Sequence, residues 1–229
     1  MSATEHSFKL SFSEGNIAFV AWKFDSSSDV PDEKLSNEEK EKLLSFKSAK
    51  RQLEFGYSRC GAKKALSMLV PNLSMADVSV INDSKGCPRF FPSNDNVKNY
   101  HVALTHSNGI SLSVVSDFVC GVDIEFFQEN RVKALRRMSP KLIDQSQLIS
   151  AWTLKESLAK ALGTGVVKNF EEYEVDNFEI ANNVARCTFV NYSDYLGISH
   201  VTSRRSIAVV ACKKFSGFFD QFTSFAEKL

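Results

Sequence analysis

The chain has 229 residues, of which 43% are hydrophobic and 19 are phenylalanine, so it can bury a sizeable core as one large domain or two small ones. Its formal net charge of +1 excludes a strong overall field that would attract nucleic acid or a membrane surface. The N-terminal residues show no leader pattern, and no run of about 18 apolar residues occurs, so we expect a soluble cytoplasmic protein.

Cysteine and histidine usage excludes two further classes. The five cysteines are odd in number, widely spaced and without a C-x-x-C pair, and the four histidines are scattered. A disulfide framework or a thiolate zinc site is therefore not expected, and we predict reduced thiols in a cytosolic protein.

The first half of the chain is predicted to contain a strand at residues 17–24 and then a long helical region. Ser36 and Glu39 form a capping box at its start, and the apolar pattern continues to Pro71 with a break near residues 45–49 or Gly56. Five cations line this region: Lys50, Arg51, Arg59, Lys63 and Lys64. They are either a solvated helix face or an edge that binds phosphate.

Further strands are predicted after this helix. β-Branched or alternating patterns occur at residues 78–81, 100–104 and 110–115. The last two flank the segment 105–109, so we predict a strand pair with His106 at the connection. A histidine in a turn is usually structural, but imidazole, hydroxyl and turn amides together can also bind phosphate.

Two carboxylates share one face of the next predicted strand, at residues 120–126. Apolar side chains alternate with Gly121, Asp123 and Glu125, so both acids point to the same side. Their Cα atoms would be roughly 6–7 Å apart, and two ionised acids at that distance repel each other unless a cation lies between them. A hard divalent ion is the cation that such oxygen ligands favour.

A helix is predicted at residues 151–162, with Gly163 as its natural end. Beside its apolar stripe, Trp152, Glu156 and Lys160 lie on successive turns. This arrangement brings a third carboxylate and an ammonium together, which can complete a metal site and hold an anion. The alternative is a common surface ion pair worth about 0.2–0.5 kcal/mol.

A basic amphipathic segment lies between this strand and this helix. Its cations are Arg131, Lys133, Arg136, Arg137 and Lys141. They form either a solvated helix face or a docking surface for an acidic partner. Four strands are predicted after the helix, at residues 173–180, 185–190, 195–201 and 206–212, and the C-terminal phenylalanines are expected to cover core.

The order of elements occurs twice. A strand, a helical region and several strands follow each other in residues 17–116 and again in residues 119–212. We therefore predict an α+β fold of two similar subdomains, residues 1–117 and 118–229. We expect the active site at their interface, where clefts tend to form.

Several landmarks between Lys50 and Gly165 resemble those of the 4′-phosphopantetheinyl transferases, in the two-subdomain form associated with surfactin and enterobactin synthetases. They follow the family's order: K-R-x-x-E-F-x-x-x-R-x-x-A-K-x-A-L at 50–66, Gly86-Cys87-Pro88, Thr105-His106-Ser107, Gly121-Val122-Asp123-Ile124-Glu125 and W-x-x-K-E-S-x-x-K-x-x-G at 152–163. The last two motifs and their separation are the specific part.

The resemblance implies a monomeric enzyme of the holo-acyl-carrier-protein synthase type. Such an enzyme transfers the phosphopantetheine group of coenzyme A to a serine of an acyl or peptidyl carrier protein and releases adenosine 3′,5′-bisphosphate. The resemblance implies Asp123, Glu125 and Glu156 as Mg²⁺ ligands, with Asp123, Glu156 and Lys160 acting in catalysis. Siderophore, nonribosomal peptide, polyketide or fatty acid synthesis is the implied setting.

By the same resemblance, coenzyme A has three sets of contacts. Thr105 and His106 are expected on one phosphate, Arg51 with Arg59 on the ribose 3′-phosphate, and Lys160 on the pyrophosphate. Pro88 and Lys85, around the Gly-x-Pro turn, are also expected to contact coenzyme A. Where many members have Gly-Lys-Pro, this chain has Cys87, and Lys85 or Arg89 is expected to substitute. The carrier is acidic, which makes the basic segment 131–141 its expected docking surface.

Two rival classes remain open. An Mg²⁺-dependent nuclease or phosphodiesterase also suits D-x-E followed by E-x-x-x-K, although a neutral chain without a basic, aromatic-rich groove counts against it. The non-enzymatic alternative is an inactive module that binds coenzyme A or a carrier. The presence of all three carboxylates and of Lys160 counts against that reading.

Overall fold

The structure is a computed structural model that describes residues 3–91, 97–139, 141–142, 144–165 and 170–229. The chain divides into two compact units, residues 1–118 with Leu229 and residues 119–228. Each unit combines an antiparallel sheet with one long helix, so the predicted α+β fold class is confirmed. In the described part of the chain, no helix is both long enough and apolar enough to cross a membrane.

The first unit is built around a four-stranded sheet. Its elements are β1 (Thr4–Phe12), β2 (Gly15–Lys23), α1 (Asn37–Leu44), α2 (Ala49–Leu69), β3 (Ser79–Asn82), β4 (Pro88–Phe91), β5 (His101–Ser107) and β6 (Ile110–Ser116). The sheet order is β1-β2-β6-β5, and β3 and β4 form a separate hairpin. Ala62, Ala65 and Leu66 of α2 pack with Val20 and Val115 of the sheet in one core, because the apolar stripe of the helix must be covered.

The second unit is built around a five-stranded sheet. Its elements are β7 (Cys120–Phe126), α3 (Val132–Met138), α4 (Gln145–Leu162), β8 (Val175–Ala181), β9 (Val184–Phe189), β10 (Tyr195–Val201), β11 (Arg205–Cys212) and α5 (Phe219–Glu227). The sheet order is β7-β11-β10-β9-β8. Leu154 and Leu158 of α4 share a core with Cys187, Phe189 and Val210 of the strands.

The repeat predicted from the element order is present in the strand pairing. In the first unit, β2 is followed by α2 and by the hairpin β5-β6, and the strands lie in the order β2-β6-β5. In the second unit, β7 is followed by α4 and later by the hairpin β10-β11, and the strands lie in the order β7-β11-β10. The two units are therefore similar α+β structures.

The predicted elements differ from the observed ones at specific places. The capping box of Ser36 and Glu39 is present at the start of α1, and the helical region breaks at residues 45–48 while Gly56 lies inside α2. The predicted five-residue connection at 105–109 is wrong in its extent. Asn108 and Gly109 both have positive φ, 48° and 76°, which is the geometry of a two-residue hairpin turn, so β5 continues through Thr105 and His106.

Candidate active site

Helix α4 approaches strand β7 at a glycine. A Cβ atom placed on Gly121 would lie 2.0 Å from the Ser157 carbonyl oxygen and 2.6 Å from the Ala161 amide nitrogen. Both are backbone atoms and cannot move without moving the helix, so no larger residue fits here. The glycine thus brings the face of β7 that carries the two acids directly against α4.

The two acids of β7 contact cations and an indole on the neighbouring elements. Lys160 Nζ lies 2.6 Å from Asp123 Oδ1. Glu125 accepts one hydrogen bond from Trp152 Nε1 at 3.1 Å and another from Arg131 Nη1 at 2.9 Å. The Arg131 guanidinium also lies over the Trp152 ring, 5.8 Å from its centroid, within the range of a cation–π contact. Strand and helix residues from two separate motifs therefore meet in one site.

Glu156 carries the most perturbed carboxyl group of this site. Burial and then the charge of Asp123 raise its pKa to about 7, although Lys160 acts in the opposite direction. The pKa of Glu125 is also raised, first by burial and then by Asp123, with Arg131 opposing. The three acids therefore interact electrostatically. A carboxyl group that titrates near neutral pH can accept a proton under working conditions.

We predict a pH-dependent stability difference between the wild-type protein and Glu156→Gln. The pKa of Glu156 in the folded protein lies above its ordinary value. Ionisation of this group therefore destabilises the folded state, and the destabilisation is absent at acidic pH and develops as pH rises from about 4.5 to 7. After a reduction for solvent screening, we expect the substitution to raise Tm at pH 8 by roughly 2–8 °C, for about 1–2 kcal/mol, and to leave it unchanged near pH 5.

The difference between the two proteins is the quantity to measure, by thermal unfolding of chelator-treated samples from pH 5 to 8. Burial lowers the pKa values of His101 and His200, so both histidines contribute stability that increases with pH. In a single protein this increase masks the opposite effect of Glu156, and it cancels in the difference between wild type and Glu156→Gln. An equal Tm difference at all pH values would contradict the assignment to Glu156.

The oxygen donors of this site fit a hard divalent cation. The charge of Asp123 opposes the ionisation of Glu125 and of Glu156, and a cation near the three carboxyl groups would relieve that repulsion. Within the described residues, no three His, Cys, Asp or Glu side chains are grouped as a ready metal site. Asp123 and Glu125 instead contact Lys160 and Arg131, which supply positive charge to the same carboxylates.

The predicted basic segment divides into two parts in the structure. Arg131 is directed to Glu125, and Lys141 pairs with Glu174 at 3.0 Å. Three cations are exposed on or at α3: Lys133, Arg136 and Arg137. Leu135 of the same helix is buried, as expected for an amphipathic helix. Residue 140 of the segment lies outside the described residues.

Lys155 links the basic segment to the helix of the site. Its side chain is almost fully buried, and Nζ donates a hydrogen bond of 2.6 Å to the Met138 carbonyl at the end of α3. Burial lowers its pKa. The motif W-x-x-K-E-S contains this lysine, but periodicity alone does not predict a buried ammonium.

Two of the predicted phosphate contacts of the first unit, Arg51 and His106, meet at a buried glutamate that the sequence did not indicate. Arg51 Nη1 lies 3.2 Å from Glu54 Oε2, and His106 Nδ1 lies 3.5 Å from the same oxygen. Arg51 belongs to α2 and His106 to β5. The only signal for Glu54 in the sequence is its place in the K-R-x-x-E-F run.

Two other cations of α2 have contacts within the first unit. Arg59 donates from Nε to the Val80 carbonyl and from Nη2 to Asn82 Oδ1, and burial lowers its pKa to about 10. Lys63 is 0% exposed and pairs with Glu39 at 2.5 Å. Arg59 thus holds the β3 strand, and Lys63 lies in the core rather than on a phosphate-binding edge.

The remaining predicted contacts are Thr105 on β5 and the residues around the β3-β4 turn. Thr105 is 5% exposed and, as the strand neighbour of His106, points to the other face of the sheet. Lys85 is exposed, and its backbone amide donates to Asp83. Arg89 also contacts Asp83, at 3.1 Å, and Pro88 begins β4.

The second unit thus presents three interacting carboxylates beside an ammonium and a guanidinium, a donor set typical of sites that process phosphate esters. Residues 119–210 match the family model described as the 4′-phosphopantetheinyl transferase superfamily. The matched segment is less than half of the chain and includes β7, α3 and α4. A search of curated proteins gave no match. Over these residues the chain is similar to that superfamily.

Proposed function

We propose that the protein transfers 4′-phosphopantetheine from coenzyme A to a serine of an acyl or peptidyl carrier protein, in the cytoplasm and with Mg²⁺. The observation that carries the proposal is the contact between β7 and α4. It joins Asp123 to Lys160 and Glu125 to Trp152, within the segment that matches the superfamily.

In this proposal Asp123, Glu125 and Glu156 hold Mg²⁺. The bound ion supplies positive charge to the pyrophosphate of coenzyme A. Lys160, now beside Asp123, contacts the same phosphate oxygens and stabilises the negative charge on the leaving group. The leaving group is adenosine 3′,5′-bisphosphate.

Glu156 is the proposed general base. Without a bound cation, burial and Asp123 raise its pKa to about 7. A bound divalent ion lowers the pKa of a neighbouring carboxyl group, so Glu156 would be an ionised carboxylate that can accept a proton at neutral pH. The serine oxygen forms a bond to the phosphorus on the pantetheine side, its proton passes to Glu156, and the bond to the adenosine-side oxygen breaks. Asp123 keeps Lys160 in position for that departure.

The first unit is proposed to bind the adenosine end of coenzyme A. The Arg51 guanidinium and the His106 imidazole, two groups that can bind phosphate, meet at one carboxylate there. Further contacts with coenzyme A are proposed for Arg59, Thr105, Lys85 and Pro88. The natural carrier is proposed to serve siderophore, nonribosomal peptide, polyketide or fatty acid synthesis.

The test is to incubate the protein with Mg²⁺, coenzyme A and an apo carrier protein, and then to weigh the carrier. We expect the carrier mass to increase by one phosphopantetheine group, and chelation of Mg²⁺ to abolish the increase. An unmodified carrier in the presence of Mg²⁺, across acyl and peptidyl carriers, would contradict the proposal. Breakdown of DNA or RNA under the same conditions would instead favour a nuclease.

We predict that charge reversal of Arg136 and Arg137 weakens docking of the carrier. Both are exposed on α3, and loss of electrostatic attraction to an acidic partner is expected to raise KM for the carrier about 10-fold. KM for coenzyme A stays unchanged. The matched control reverses the adjacent exposed lysines Lys213 and Lys214. Equal effects of the two double variants, or equal effects on both substrates, would exclude a docking role for α3.

A further inference from the structure

Glu54 is a buried acid in contact with three side chains of the first unit, Lys50, Arg51 and His106. Its side chain is 7% exposed, and Oε2 lies 3.2 Å from Arg51 Nη1 and 3.5 Å from His106 Nδ1. Lys50 Nζ lies 3.8 Å from Oε1. These neighbouring side chains are much more exposed, 57% for Arg51 and 33% for His106. A buried carboxylate therefore lies beneath a cationic surface that faces solvent.

The backbone around Glu54 is tied to the sheet by a second connection. Ser58 Oγ donates to the Glu54 carbonyl at 2.6 Å and lies 3.2 Å from Ser111 Oγ. Ser111 is the register partner of His106 in the β5-β6 pair. The helix turn that carries Glu54 and the strand position that carries His106 are thus held in a defined relation.

A surface ion pair does not account for this cluster. Spacing along α2 explains the contact between Glu54 and Arg51, but His106 comes from a different element and reaches the same oxygen. Burying a carboxylate is costly unless cations and hydrogen bonds compensate it. Glu54 therefore favours those orientations of the neighbouring side chains in which they contact its carboxylate. The contact at Nδ1 also turns the opposite, Nε2 edge of the imidazole away from Glu54.

We propose that Glu54 is a positioning residue that holds Arg51 and His106 ready for a phosphomonoester. This inference rests on the proposed function, because coenzyme A carries one such group, its ribose 3′-phosphate. Glu54 does not touch the phosphate. It reduces the side-chain entropy that Arg51 would lose on binding and sets the direction of two donors from separate elements.

The test compares Glu54→Gln with wild type in binding coenzyme A and 3′-dephospho-coenzyme A, measured by calorimetry. We expect Kd for coenzyme A to rise about 10-fold, since charge-assisted hydrogen bonds lose their acceptor charge. The Kd for the dephospho form stays within about 2-fold. In an Arg51→Met background the same substitution has little further effect, because coupled residues are not additive.

The matched control is Glu5→Gln, which removes the ion pair of Glu5 with Lys64 of the same helix and leaves both affinities unchanged. If Glu54→Gln does not fold, Glu54→Asp replaces it. This variant keeps the charge but moves it one methylene closer to the backbone, and it is expected to weaken binding of coenzyme A without weakening binding of the dephospho form. Equal weakening for both nucleotides, or tighter binding of coenzyme A after removal of a competing negative charge, would overturn the positioning role.

The carrier-modification assay separates this inference from the proposed function. If wild type modifies no carrier, the proposed function fails, whereas selective loss of coenzyme A binding in Glu54→Gln still supports the positioning role. If wild type is active and Glu54→Gln binds both nucleotides as wild type does, only the positioning role fails.

Discussion

Glu156→Gln is expected to lower kcat for carrier modification about 10²–10⁴-fold, the usual contribution of a general base. Glutamine has the shape of glutamate but cannot accept the serine proton, and it offers one oxygen ligand where the carboxylate offers two. Because the wild-type carboxyl is buried beside Asp123 and has a pKa of about 7, the variant is at the same time more stable at pH 8. Loss of activity together with a raised Tm cannot result from misfolding.

The control for this prediction is Glu174→Gln. Glu174 is a partly exposed acid of the same unit that pairs with Lys141, so the substitution removes the same charge at a position outside the proposed metal site and away from the proposed base. We expect kcat within about 2-fold of wild type, since exposed ion pairs contribute little. Steady-state rates by carrier mass decide the outcome. A Glu156→Gln enzyme with near wild-type kcat would refute the general-base role.

Gly121→Ala is expected to cause the largest loss of stability from a single methyl group. The new Cβ would lie 2.0 Å from the Ser157 carbonyl oxygen, so α4 must move away from β7. We expect a loss of about 3 kcal/mol, at the upper end for overpacking, and a Tm lower by roughly 6–12 °C. Transfer activity falls as well, because the shift separates Lys160 from Asp123.

Gly197→Ala provides the matched control in the same sheet. The nearest atom to its new Cβ is the end of the Leu154 side chain, at 2.6 Å, and a side-chain terminus can shift where backbone cannot. We therefore expect a smaller loss, about 1 kcal/mol. Thermal unfolding of both variants, alongside the transfer assay, makes the comparison. Equal Tm values for the two would show that the close approach at Gly121 does not limit packing.

Much of the fold was predictable because local patterns and tertiary contacts agree. The capping box at Ser36 begins α1, and the left-handed Gly163 ends α4. β10 has the predicted bounds, Tyr195–Val201. Strand β1 and helix α5 were missed although their patterns are present in the sequence. Phe8, Leu10 and Phe12 alternate with exposed residues in β1, and Phe219, Phe222 and Phe225 recur at helical spacing in α5 and are buried.

The sequence by itself determined which chemical groups can form the site and on which faces they lie. Alternation in β7 puts Gly121, Asp123 and Glu125 on one side, and helical spacing aligns Trp152, Glu156 and Lys160. Such patterns follow from backbone geometry, which repeats every 2 residues in a strand and about every 3.6 in a helix. These patterns can therefore be predicted from the sequence alone.

Only the tertiary structure decided which groups meet. It directs Arg131 to Glu125 instead of to the exposed face of α3, and it buries Lys63 and Lys155, each with a backbone carbonyl as acceptor. It also brings His106 to Glu54 from an element about 50 residues away. These partners are set by long-range packing and by the high cost of a buried charge without compensation. Long-range packing and the cost of a buried charge do not follow from the spacing of residues in the sequence.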